Sequence, residues 1–179
     1  MRNFVSRIVA LIPPYRIRKY RIRKLDSVFS LGTGEPNFDT PWSVSQVSIT
    51  SIENGMTMYT SNRGISELRE LACIGLSPQR YHTVYCPETE MFITKGVSEA
   101  LDVAVLGVVD PGYEVLVVDP CFFSYQQPDV LMAGRRPKAL PCRAQDQFKI
   151  TPDALIEPLM SKTKVLIMNF LNNLTGGVM

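Results

Sequence analysis

Histidine is almost missing from this chain. His82 stands alone, so neither a Cys/His zinc site nor a histidine-based catalytic triad can be assembled. Cysteine is sparse and poorly spaced for chemistry. Cys73, Cys86, Cys121 and Cys142 contain no CxxC pair, and the reading is buried, reduced thiols of a cytoplasmic protein. No apolar run reaches the roughly 18 residues that a membrane-spanning helix needs. Internal repeats and low-complexity tracts are absent as well, which excludes solenoids and linker-like disorder.

Acid is missing from one end only. No Asp or Glu precedes Asp26, whereas Arg2, Arg7, Arg16, Arg18, Lys19, Arg21, Arg23 and Lys24 do. Three readings compete for this arm, taken as residues 1–30. A transit or secretion signal suits the arginines, but the apolar stretch Ile8–Ile12 is short, and Pro13-Pro14 follows it in place of a small-residue cleavage site. A nucleic-acid tail rests on charge alone. A basic, partly helical arm lying on another surface is the preferred reading.

What remains is ordinary globular sequence: 179 residues, 45% hydrophobic and 20% charged. A chain of this length is expected to bury about 70% of its unfolded surface. Its net charge of +2 gives no global reason to invoke nucleic acid or membrane.

Turn signals crowd the stretch from Leu31 to Asn62: Gly32, Gly34, Pro36, Asp39, Pro41 and Asn54-Gly55. Between them Trp42–Ile52 reads as a poor helix, rich in serine and β-branched residues. Beyond Gly64 the pattern alternates. Glu67–Ala72 is helix-like, with Cys73-Ile74-Gly75 and Pro78 expected to break it. Met91–Thr94 is a strand candidate. Val97–Val109 places apolar residues at 97, 100, 101, 104, 105 and 108, the spacing of one helix face. Asp110-Pro111-Gly112 is a turn, and Glu114–Val118 a buried-type strand. Cys121–Ala133 reads as a helix with Gly134 as its cap. A strand around Lys138–Leu140, a helix over Pro152–Met160 and a strand over Lys164–Asn169 follow. Strands alternating with helices predict parallel β-α-β units in an α/β fold.

Chemistry concentrates at the ends of these strands. Ile93-Thr94-Lys95-Gly96-Val97-Ser98 is a strand end, a glycine and a first helical turn. Unpaired N–H groups and the helix dipole favour an anionic phosphate there, and Ser98 adds a hydroxyl. The alternative is a plain connection between elements. Gly32-Thr33-Gly34-Glu35-Pro36 lacks the third glycine of a dinucleotide fingerprint, since Asn37 holds its place, so that reading is rejected. Asp119-Pro120-Cys121-Phe122-Phe123 puts aromatics at the carboxyl end of a parallel sheet, where ligands of open α/β sheets bind. Core packing of both phenylalanines is the competing reading. Asn172-Asn173-Leu174-Thr175-Gly176 also follows an apolar strand, either as part of a site or as an Asn/Gly turn.

In order along the chain these segments resemble the class I/II aminotransferases. Leu31-Gly32-Thr33-Gly34-Glu35-Pro36-Asn37-Phe38-Asp39-Thr40-Pro41 is similar to the family's opening motif, and Thr57–Gly64 with Glu67-Leu68-Arg69 to its next signature. Gly96-Val97-Ser98-Glu99-Ala100-Leu101, Asp110-Pro111-Gly112 and Asp119-Pro120 through Ser124-Tyr125 resemble the cofactor-binding core. Asn172–Gly176 resembles the family's NNPTG.

The resemblance implies the fold-type I pyridoxal-phosphate-dependent transferase fold. Residues 31–179 would be its large domain in truncated form, mostly parallel sheet flanked by helices. It implies an amino acid to 2-oxo acid amino-group transfer with pyridoxal 5'-phosphate, in a cytoplasmic homodimer, with no nucleic acid and no membrane. Gly96, Val97 and Ser98 would hold the cofactor phosphate, and Phe122 would stack on the pyridine ring. Asn173 would hydrogen-bond the phenolic oxygen. Gly34 would lie against the substrate carboxylate, and Tyr59 would reach the phosphate of the partner subunit's cofactor. A plain turn and a core position compete for these last two.

The family's Schiff-base lysine, pyridine-pairing aspartate and carboxylate-gripping arginine belong downstream of NNPTG and have no counterpart in these residues. Lys95 precedes the glycine, where the family does not place that lysine. No catalytic residue is therefore assigned, and a chain inactive alone is expected. The alternative is a non-catalytic fragment or a binding partner at the dimer interface. Three smaller departures suggest relaxed constraint: Leu174 in place of proline, a weak helix after Leu71, and Arg135-Arg136 where small residues are usual. Strands at 91–94 and 164–169 are expected to lack neighbours, which leaves apolar edges and marginal order.

Overall fold

The computed structural model describes residues 6–11, 34, 36–76, 82–126, 130, 134–156, 159 and 162–179, in two compact units. One takes in Met1–Pro14 and Thr94–Met179, the other Tyr15–Ile93. The helices are α1 (Arg7–Leu11), α2 (Trp42–Glu53), α3 (Ser66–Leu76), α4 (Val97–Val108), α5 (Phe123–Gln126) and α6 (Pro152–Ile156). The strands are β1 (Glu114–Asp119), β2 (Arg136–Pro141) and β3 (Thr163–Ile167). Most of the arm lies outside the described residues, as do Leu31–Thr33 and Glu35 of the glycine-rich stretch and parts of the expected 121–133 and 152–160 helices.

The larger unit is built on a parallel sheet in the order β2-β1-β3. β1 carries consecutive apolar residues because both its faces are covered. Val115 and Val117 pack with Val105 and Val109 from the end of α4, and with Cys121 and Val130. On the opposite face Leu116 and Val118 meet Leu140 and Cys142, with Phe148, Ile150, Ala154 and Leu155 packed against them. None of the four central β1 side chains is more than 1% exposed. Each such burial contributes roughly 1.5–3 kcal/mol. β2 contains Pro137 and Pro141, which cannot donate to a ladder, and an edge position tolerates them.

Several expectations are corrected. Met91–Thr94 is not a strand; Ile93 N–H instead donates to the Arg63 carbonyl at 3.1 Å. The last strand does have a neighbour: β3 pairs with β1, Val115 opposite Val165 and Val117 opposite Ile167. α3 runs through Cys73, Ile74 and Gly75 to Leu76. One glycine costs a helix only about 1 kcal/mol, and Cys73 is buried. α4 closely matches the expected span, but only part of its expected face, Leu101 and Val105, turns inward. Val105 is buried, with Val109 just beyond the helix, whereas Val97 and Val108 are 70% and 64% exposed. A helix apolar on most sides offers several stripes, and the sheet selects one. Cys86 is exposed, unlike Cys73, Cys121 and Cys142, and all four are free thiols.

Arg135 is no sign of relaxed constraint. Its side chain is buried and donates to the Val109 and Leu106 carbonyls at the C-terminus of α4. Those carbonyls have no intrahelical partner, and a cation complements that end of the dipole. Gly134 (φ 72°) precedes it, and Arg135 N–H closes back on the Val130 carbonyl, the pattern of a glycine helix cap.

The smaller unit is held by Arg69, 4% exposed. It donates to the carbonyls of Gly64 (2.6 Å) and Pro87 (2.9 Å) and to Glu88 (3.1 Å). These bonds tie α3 to the turn before it and the loop after it. Gly64 sits at φ 90°, and a Cβ there would lie 2.7 Å from Ile93 Cβ. α2 buries none of its residues, and Ser48 and Ser51 hydroxyls bond back to the Val44 and Val47 carbonyls. Gly64→Ala is therefore expected to lower stability by about 2–4 kcal/mol, from clash and strain together. Gly55→Ala, at φ 71° in open space, is expected to cost about 1 kcal/mol. Urea midpoints of the two variants check this; equal costs would show that Ile93 does not constrain Gly64.

Candidate functional site

α4 leads into β1 through the turn at Asp110–Gly112 and packs against it. A helix folded back on the strand that follows it runs antiparallel to that strand. The N-terminus of α4 therefore lies at the end where the parallel strands β1 and β3 finish. Three sequence-predicted segments meet that end of the sheet: Gly96–Ser98, Cys121–Phe123 and Asn172–Gly176.

Gly96 is the N-terminal boundary residue of α4, at φ 86° and ψ 176°, with open space where a Cβ would stand. No side chain caps this helix. Val97 and Ser98 are exposed, and the first-turn amides of a helix have no intrahelical partner. The Glu99 carboxylate, in the first turn, accepts the Lys95 backbone N–H and complements the dipole. Thr94 Oγ1 donates to the Gly96 carbonyl at 2.9 Å. Lys95 is exposed, one residue ahead of the boundary glycine.

Phe122 is half-buried and not core, its ring edge-on to Tyr125 with centroids 5.6 Å apart. Its neighbour Cys121 is in the core, where burial first, and then the charge of Asp119, push the thiol up to about 11. Asn173 is exposed; its backbone N–H donates to Asn169 Oδ1 at 2.8 Å. Leu174, where the family has proline, sits at φ 137°, far from the value a proline ring imposes.

The residue that sequence reasoning passed over is Asn172, 5% exposed. Its Nδ2 donates to the Pro120 carbonyl at 3.0 Å, and its Oδ1 accepts Thr175 N–H at 3.2 Å. A buried amide in a paired-asparagine turn is not distinguishable by sequence from its exposed neighbour.

Gly34 is exposed with nothing within 4 Å of a Cβ, and the Tyr59 side chain is fully exposed, so Tyr59 is not a core residue. Both belong to the smaller unit. That unit also holds a cavity of about 440 Å³ lined by Thr60, Ser61, Gly64, Ser66, Glu67, Arg69 and Glu88. Arg69 already serves two carbonyls and Glu88, while the backbone amide of Glu67 and then the Ser66 hydroxyl hold the Glu67 carboxyl below its usual range. On this wall the Ser66 hydroxyl donates to the Glu67 carboxylate at 3.1 Å. Among the described residues no cluster of three metal-ligating side chains occurs, and no helix is long and apolar enough to cross a membrane.

Comparison with known proteins converges on one group. The family model described as aminotransferase class I and II matches residues 26–179. YugH of Bacillus subtilis (strain 168) is 38% identical over 180 residues, covering 99% of this chain and 46% of its own length. Aspartate aminotransferase of Pyrococcus horikoshii is 33% identical over 178 residues, covering 98% and 45%. Among solved structures, aspartate aminotransferase from Thermotoga maritima superposes with a TM-score of 0.83 at 30% identity, over 94% of this chain and 46% of that one. The chain thus spans a little under half the length of the curated relatives it matches.

Thiol chemistry gives one check on this geometry. The Thr89 hydroxyl, then the backbone amides of Glu88 and Thr89, hold the Cys86 thiol below its ordinary value, while Cys121 and Cys142 are raised by burial. Iodoacetamide near neutral pH is expected to label Cys86 well before Cys121 or Cys142, as read by peptide mass spectrometry. Equal labelling rates would contradict the burial described here.

Proposed function

The chain belongs to the class I and II aminotransferases, and on that footing we propose that it carries the N-terminal, cofactor-holding portion of a pyridoxal-phosphate-dependent enzyme that moves amino groups from amino acids to 2-oxo acids. The observation that carries this reading is the open N-terminus of α4, placed at the same end of the sheet as Phe122 and Asn173.

The residues present fit the cofactor. A phosphate needs backbone donors and room, and Val97 and Ser98 present uncapped amides beside a glycine with nothing where its Cβ would be. A flat aromatic ring needs an apolar platform, and Phe122 presents a half-exposed one. A phenolic oxygen needs a donor, and the exposed Asn173 carboxamide supplies it.

When bound, the group supplies an electron sink for the substrate carbon that loses its proton. The protein's share is placement. The α4 amides and the Ser98 hydroxyl hold the phosphate at the positive end of the dipole, which fixes one end of the ligand. Phe122 excludes water from one ring face. Asn173 donates to the phenolic oxygen and favours its ionised form. Gly34 leaves room for the substrate carboxylate, and Tyr59 reaches the phosphate of the partner subunit's cofactor in a cytoplasmic homodimer. Residues 1–30 act as the arm and residues 31–179 as part of the large domain. None of the lysines in these 179 residues stands in the family's Schiff-base place, so this stretch by itself holds the cofactor without a covalent bond.

The 179-residue chain is expected to bind pyridoxamine 5'-phosphate at least about tenfold more tightly than unphosphorylated pyridoxamine in a fluorescence titration, with inorganic phosphate competing, a gap of about 1.4 kcal/mol. Equal affinities would remove the phosphate site. Borohydride reduction with pyridoxal 5'-phosphate is expected to leave Lys95 unlabelled; a labelled Lys95 peptide would overturn the non-covalent assignment.

A further inference from the structure

We infer that Asn172 is a positioning residue, which holds the Asn173 carboxamide in register with the Phe122 ring; the inference rests on the cofactor reading above. In this chain the turn that presents Asn173 has lost its usual brace. Leu174 does not lock φ, and it sits at 137°. Something else must keep the preceding residue in place.

The hydrogen bonds show what does. Asn172 is 5% exposed, and both ends of its carboxamide are used. Oδ1 accepts Thr175 N–H at 3.2 Å, which closes the turn around Asn173 and Leu174. Nδ2 donates to the Pro120 carbonyl at 3.0 Å, across 52 residues of sequence. The backbone of Asn172 contributes further: its N–H donates to the Gly177 carbonyl at 3.1 Å, and its carbonyl accepts Gly176 N–H at 3.0 Å. Asn173 itself is held from behind, by Asn169 Oδ1 on its N–H.

The Nδ2 bond is the one a turn does not require. Closure of the 172–177 loop is satisfied by Oδ1 and the backbone. Pro120 lies two residues before Phe122, and Cys121 between them is buried in the core. The bond therefore couples the segment that carries the donor to the segment that carries the ring platform. A ligand held by both senses their mutual placement, and a displacement of a few tenths of an ångström weakens a directional hydrogen bond more than a stacking contact.

Asn172→Asp tests this, because it keeps the shape and the Oδ1 acceptor while removing the donor to Pro120. Titrations compare pyridoxamine 5'-phosphate with its 3-O-methyl ether, in which the phenolic oxygen cannot ionise. The variant is expected to lose about tenfold in affinity for the first ligand and less than about twofold for the second, a differential of about 1 kcal/mol. Equal losses for both ligands, or no loss for either, would reduce Asn172 to a turn residue and overturn the inference. If the wild-type chain binds neither ligand, the cofactor reading itself fails, a distinct outcome. Should Asn172→Asp not fold by circular dichroism, Asn172→Ser, whose hydroxyl donates over a shorter reach, is expected to show the same selective loss at smaller size. Uniform loss there would overturn the inference in the same way.

Discussion

Burial of β1 on both faces is the constraint from which the larger unit follows. Val115 through Val118 have no route to water, so each face must be covered by a separate layer. α4 and the segment through Val130 cover one, and α6 with the 148–150 stretch covers the other. Because β2 and β3 both run parallel to β1, all three strands finish at one end. The loops that carry polar side chains emerge there together. The candidate site is thus a consequence of how the central strand is buried.

That end of the sheet is held by two kinds of interaction. Apolar packing fixes Cys121, and with it the base of the Phe122 turn. A buried amide fixes the turn after β3, and buried guanidinium groups do similar work elsewhere. Arg135 satisfies carbonyls at the far end of α4, and Asn172 links the turn after β3 to the turn after β1. In the smaller unit Arg69 does the equivalent work for the Gly64 turn. Each of these polar groups is buried and hydrogen-bonded to backbone carbonyls. Removal of any one would strand carbonyl groups at a cost of about 1–3 kcal/mol each.

The departures from the family pattern divide on inspection. Arg135-Arg136 looked like relaxed constraint, yet Arg135 is an integral cap. The weak helix after Leu71 continues to Leu76 because Cys73 is packed. Leu174 in place of proline is a real loss, visible in its backbone angle, and the surrounding asparagine amides offset it. In these three places a local rule predicted weakness, and tertiary contacts decided otherwise in two.

Motif order and residue type were enough to determine the family, the alternating α/β plan and the segments that reach the sheet's carboxyl end. Gly96 before a helical run, adjacent aromatics after an apolar strand and a paired asparagine before Thr-Gly are local patterns, and local patterns survive in one dimension. Four decisions needed three. The buried stripe of α4 was ambiguous because most of its sides are apolar. The absence of a strand at Met91–Thr94 and the pairing of β3 with β1 depend on which neighbours are available. The roles of Arg69 and Arg135 depend on carbonyls distant in sequence. The division of labour between Asn172 and Asn173 depends on which of two identical side chains faces inward. Hydrogen bonds between residues far apart along the chain leave no period and no spacing to read, so only the folded structure assigns them.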